Sequence, residues 1–97
     1  LSLDMTSKEL KIARNRIDKV DKALFKLIKK RTKIVKYMLS LKKQKSDIVD
    51  QKRIKEILKI IKKKSIHNNI DPLITKKIWS SMIWAYVDFQ RRNFKKK

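Results

Sequence analysis

Three side chains along this sequence could act together on an anion, and their spacing is what groups them. Leu10, Ile17, Leu24, Arg31 and Met38 recur every seven residues, interleaved with Ala13, Val20, Leu27, Ile34 and Leu41. That is one continuous apolar face of a long helix, and Arg31 interrupts it. A guanidinium on such a face costs several kcal/mol or more unless an anion meets it. The adjoining row, Arg14, Asp21, Ile28, Val35 and Lys42, flanks the face with two further cations. Far along the chain, Gln90 follows Trp79, Ile83 and Tyr86 at helical spacing, which turns its amide inward. The chemistry this suggests is an internal pocket for an anionic ligand. The plainer readings are an Arg31 paired with a carboxylate across a dimer seam, a Lys42 solvated at a helix end, and a Gln90 held in a structural hydrogen bond.

The elements that must position these groups are helices. Ninety-seven residues with no Gly and a single Pro, Pro72, have little chemistry for tight turns or hairpins. We expect an all-α chain of three helices forming one domain over residues 1–97. The first helix is expected over 6–43, opening near Thr6 or Ser7 with Glu9 supporting its first turn. A polar loop follows at 44–48, expected to be mobile until an anion bridges Lys42. The second helix is expected over 49–65, starting after Asp47 or Asp50, with Ile54, Ile57, Leu58 and Ile61 on one face. Asp71-Pro72 is an N-cap followed by Pro at the first helical position, opening a third helix over 71–93. The turn before it, His67-Asn68-Asn69, offers an Asn for a left-handed conformation. Asp18 and Asp21 are expected to pair with Lys22 and nearby lysines.

A first helix of about 37 residues extends ~55 Å, while a compact domain of this size has a radius of gyration near 13 Å. Two short partner helices cannot cover it, so a two-fold dimer with antiparallel long helices is the economical solution. Lys42 lies ~16 Å beyond Arg31 on the same face, close enough for two long side chains to bracket a small ligand. Arg14 lies ~25 Å before Arg31 and would reach that ligand only from the partner chain.

Composition removes other classes. With no Cys and one His, thiolate and His-cluster metal sites and a Ser-His-Asp triad are excluded. No apolar run approaches the roughly 18–20 residues needed to cross a bilayer. Residues 1–10 lack the charged-then-apolar form of a secretory signal, so a cytoplasmic location is expected. Net charge +20 suggests nucleic acid, but 23 of the 29 basic residues are Lys spread along the whole chain. Base readers favour Arg, and strand binders need clustered aromatics. A basic helical module for nucleic acid is therefore the lower alternative.

The ordered set Arg14-x-x-Ile17-Asp18-x-x-Asp21, Leu27, Arg31, Lys42, Asp50-x-x-Arg53 and Gln90 resembles the all-helical chorismate mutase family over roughly residues 8 to 92. The resemblance implies an intertwined homodimer without metal or organic cofactor, acting on chorismate or isochorismate. It implies that Arg31, with Arg14 from the partner chain, holds the two carboxylates. Lys42 and Gln90 would donate to the ether oxygen where negative charge grows. Asp50, Arg53, Ile54, Tyr86 and Val87 would complete the substrate site. Arginine suits carboxylates because its planar fork donates two parallel hydrogen bonds. No general acid, base or nucleophile is required; catalysis would come from a held conformer and fixed positive charge.

One position departs from the mutase pattern. Mutases of this family usually carry Glu directly after the helix-two Arg, to accept from the ring hydroxyl of chorismate; here that position is Ile54. Leaving that hydroxyl unpartnered costs ~1–3 kcal/mol. The isochorismate-pyruvate lyase branch, which forms salicylate, looks similar here, with an aliphatic after the Arg and Tyr four residues before the Gln. The resemblance therefore favours the lyase, with mutase activity on the side; a mutase serving aromatic amino-acid synthesis is the alternative.

Overall fold

The computed structural model describes the backbone of residues 2–96, with side chains from Thr6 onward. Three helices are present and no strand occurs among the described residues: α1 (Ser2–Leu41), α2 (Gln51–His67) and α3 (Pro72–Asn93). A short 3-10 turn, Lys45–Asp47, lies in the connection between α1 and α2. The chain divides into two compact units, Leu1–Ile34 and Val35–Lys97. No helix among the described residues is long and apolar enough to cross a membrane.

The first unit is helix throughout its described part. Nothing in it breaks a helix, and Thr6 and Ser7 lie inside α1 rather than capping it. The expected start is thus corrected by about a turn, and Glu9 sits beyond the first turn. The apolar stripe is open: Leu10, Ile17, Val20, Leu24 and Leu27 are 48–61% exposed. Arg14 is exposed and Arg31 half-buried. Among the described residues the expected pairs of Asp18 and Asp21 with lysines are not found. At exposed i,i+4 positions such pairs gain only a few tenths of a kcal/mol, too little to hold two mobile side chains.

In the second unit, the last two helices form a hairpin whose ends are written in the sequence. Asp50 caps α2, its carboxylate accepting from the Arg53 N–H at 3.0 Å, so Asp50 and not Asp47 is the cap. The other end closes as a Schellman motif. The Ile70 N–H bonds the Ser65 carbonyl (2.9 Å), the Asn69 N–H bonds the Ile66 carbonyl (3.3 Å), and Asn69 takes the left-handed conformation at φ 57°. That extends α2 two residues past the expected Ser65. Asp71 caps α3, accepting from the Leu73 N–H at 2.9 Å, with Pro72 in the first turn where its missing N–H costs nothing.

The core of this unit is small: Val35, Ile48, Ile83 and Val87 are buried, together with the polar Ser65 and Gln90. Ser65 is 2% exposed, and its hydroxyl shares hydrogen bonds with the Ile61 carbonyl (2.7 Å) and with the Thr75 hydroxyl (2.6 Å). A buried hydroxyl without such partners would destabilise the hairpin, and here it ties α2 to α3.

We expect Ile83→Ala to lower unfolding free energy by about 2–5 kcal/mol through the cavity it leaves. Asp71→Ala should cost about 1 kcal/mol through loss of a cap, and the exposed Leu73→Ala under about 0.5 kcal/mol. Urea denaturation followed by circular dichroism would check the order; equal losses in all three would contradict this packing.

Candidate active site

Lys42 and Gln90, 48 residues apart, meet in the second unit. The Lys42 Nζ donates to Gln90 Oε1 at 2.7 Å. Sequence spacing placed Lys42 on the first helix, but α1 stops at Leu41. Lys42 is the first residue beyond it, its N–H still reaching back to the Leu39 carbonyl at 3.1 Å. Gln44 then turns extended (φ −128°, ψ 145°) and leads the chain away from the helix.

Gln90 is 7% exposed and is held at both ends of its amide. Oε1 accepts from Lys42, while Nε2 donates to the Tyr86 carbonyl one turn back at 3.2 Å. An ammonium has no acceptor and a carbonyl no donor, so these two partners fix which end of the amide is which. One Nε2 hydrogen and two hydrogens of the Lys42 ammonium remain for a ligand. A positive charge and an amide N–H can therefore serve one acceptor oxygen, the arrangement that stabilises an oxygen gaining negative charge.

The Lys42 ammonium is half-buried, and loss of hydration lowers its pKa below the ordinary lysine value. Asp47 and then Asp50 act in the opposite sense through their negative charge. Both carboxylates are fixed by backbone donors. Asp47 accepts from the Gln44 N–H (3.1 Å) and Asp50 from the Arg53 N–H (3.0 Å). The connection carries its own short-range bonds and buries Ile48 (5% exposed).

The remaining nominated residues fall as follows. Val87 is buried, Tyr86 and Ile54 are half-buried, and all three lie in the same unit as the Lys42–Gln90 pair. Asp50 does its visible work as a helix cap. The Arg53 guanidinium is exposed and bonds Glu56 at 2.7 Å, one turn along α2. With side chains 59% and 54% exposed, that pair is screened and worth under about 1 kcal/mol, so an anionic ligand could take Arg53 from it. Arg14 and Arg31 belong to the first unit. Sequence reading missed Glu56, though the i,i+3 spacing to Arg53 was there to be read. It also missed Asp47 as a neighbour of Lys42. Among the described residues no group of three His, Cys, Asp or Glu could hold a metal ion.

The model of the chorismate mutase type II family matches residues 13–91, which take in every nominated site residue. The chain belongs to that family. Comparison with curated proteins and with solved structures finds no match. As a chorismate-mutase-family enzyme it acts on a chorismate-type substrate, an enolpyruvyl ether with two carboxylates. An ether oxygen is an acceptor that the Lys42 and Gln90 donors could meet.

For a lysine whose folded pKa is lowered, the unfolded chain binds more protons between the folded and ordinary values. Lys42 therefore destabilises the fold while charged, and this cost is relieved as pH rises through that window. We expect NMR titration of dimethylated lysines to show Lys42 losing its proton before the exposed lysines. Gln90→Glu should move it upward, because a carboxylate favours the charged form. A Lys42 resonance titrating with the bulk lysines would contradict the geometry.

Proposed function

We propose that this enzyme is an isochorismate-pyruvate lyase working as a homodimer, with some chorismate mutase activity. The reading rests on Ile54. It is a half-buried aliphatic in the first turn of α2, directly after Arg53. An aliphatic there offers nothing to the ring hydroxyl of chorismate, whereas isochorismate carries its hydroxyl elsewhere on the ring. In the lyase reaction a ring hydrogen moves to the terminal carbon of the enolpyruvyl group as the ether C–O bond breaks. The ring becomes aromatic and keeps its hydroxyl, and pyruvate leaves; no water, oxidant or outside proton is consumed.

In this reading Lys42 and Gln90 donate to the ether oxygen as it gains charge. Arg31, with Arg14 of a second chain, holds the carboxylates, and Arg53 exchanges Glu56 for substrate. Asp50 keeps the first turn of α2 in place, and Tyr86 and Val87 wall the site. The exposed apolar stripe of α1 supports the dimer, since a row of half-exposed Leu, Ile and Val is typical of a face that buries against another chain. A cytoplasmic location fits such a reaction. The second reading, a mutase converting chorismate to prephenate, is favoured by the family match.

Purified protein offered the two substrates separately would decide between them. We expect fast salicylate release from isochorismate and slow loss of chorismate; efficient prephenate formation without salicylate would make it a mutase. Gln90→Ala and Lys42→Ala should each lower kcat by about 100- to 1000-fold. Ile54→Glu should shift the preference toward chorismate. Arg14→Ala and Arg31→Ala should each be inactive alone. Refolded together in equal amounts, they should recover about a quarter of wild-type activity, because half the dimers then carry one intact site. No recovery would contradict a site shared between chains.

A further inference from the structure

Close in sequence to Lys42 and Gln90 lies a second collection of cations that the proposed reaction does not use. A cavity of about 480 Å³ is lined by Lys43, Gln44, Lys45, Phe94 and Lys96. Lys43 is the immediate neighbour of Lys42, so their Cα atoms are about 3.8 Å apart. Phe94 closes the end of α3 four residues beyond Gln90. The cavity thus adjoins both members of the pair in sequence, and all of its lining lies in the second unit. Its three lysines are exposed, while Phe94 is half-buried. No acidic residue lines the cavity. Volume and lining fit a small anion with one flat apolar face.

We propose that Lys43, Lys45 and Lys96 form a capture site for the dianionic substrate, from which it passes to the neighbouring Lys42–Gln90 pair. This deepens the proposed function and rests on it. A concave surface of one charge sign raises the local concentration of an oppositely charged ligand and its rate of arrival, without touching the chemical step. The capture site acts on kcat/KM and leaves kcat to Lys42 and Gln90.

The test compares wild type with K43Q/K45Q/K96Q and with a charge-matched control, K59Q/K62Q/K76Q. The control removes three lysines from a separate apolar cavity between α2 and α3. Each is assayed on isochorismate and chorismate across ionic strength. We expect K43Q/K45Q/K96Q to lose about 10-fold in kcat/KM at low salt, with the gap closing as salt rises and kcat within about twofold of wild type. The control should follow wild type. If K43Q/K45Q/K96Q follows wild type, or the control loses as much, the capture site is refuted and the family chemistry stands. If wild type turns over neither substrate, the proposed function fails and calorimetric binding of phthalate decides the site alone. Salt-sensitive binding lost only in K43Q/K45Q/K96Q supports it; equal binding by all three proteins overturns it.

Discussion

An ammonium group taken partly out of water and set against a buried amide is the constraint around which the second unit is arranged. Lys42 loses hydration at that position, and its charge is tolerated because several groups face it at once. Gln90 Oε1 accepts from it at 2.7 Å, and Asp47 and Asp50 lend negative charge from the connection that follows. Each of those three groups is itself held. Gln90 is anchored through the Tyr86 carbonyl, and both carboxylates are anchored by backbone N–H groups. In the proposed reaction, a donor pair preorganised in this way would have little to rearrange as the ether oxygen acquires charge, which is where electrostatic catalysis gains most.

The two units solve opposite problems. In the second, a few buried residues, two capped helices and a Schellman turn make a hairpin whose polar interior is satisfied; no buried side-chain nitrogen or oxygen lacks a partner among the described residues. In the first, a single helix presents Leu10, Ile17, Val20, Leu24 and Leu27 half-exposed, a face no element of that unit can cover. Propensity alone leaves isolated helices marginal in water, and tertiary packing supplies most of their stability. The long first helix is therefore the part of the molecule whose persistence depends most on what it packs against.

Much of this could be read from sequence because it is local. Asp71-Pro72 could only open a helix, Asn69 suited the left-handed turn, and the spacing of Trp79, Ile83, Tyr86 and Gln90 turned the amide inward. Periodicity could not say where α1 stops, because Leu41, Lys42 and Lys43 are all acceptable helix residues. The exit is set by the turn that follows and by Ile48 seeking the core. Nor could it reveal Ser65 as the most buried of the named core positions, since a serine after three lysines looks like solvated surface. Its burial depends on Thr75 arriving from another helix. The Lys42–Gln90 bond was legible as two nominated residues but not as a contact.

The sequence distances spanned by two of these bonds bear on the order in which the second unit assembles. Ser65 and Thr75 are 10 residues apart, whereas Lys42 and Gln90 are 48 apart. Closing the longer loop costs roughly 1.4 kcal/mol more chain entropy than the shorter. The α2–α3 hairpin can therefore form and survive as a cooperative piece while the long-range contact is open. The ammonium and the amide are then late partners, brought together only on a scaffold that already stands.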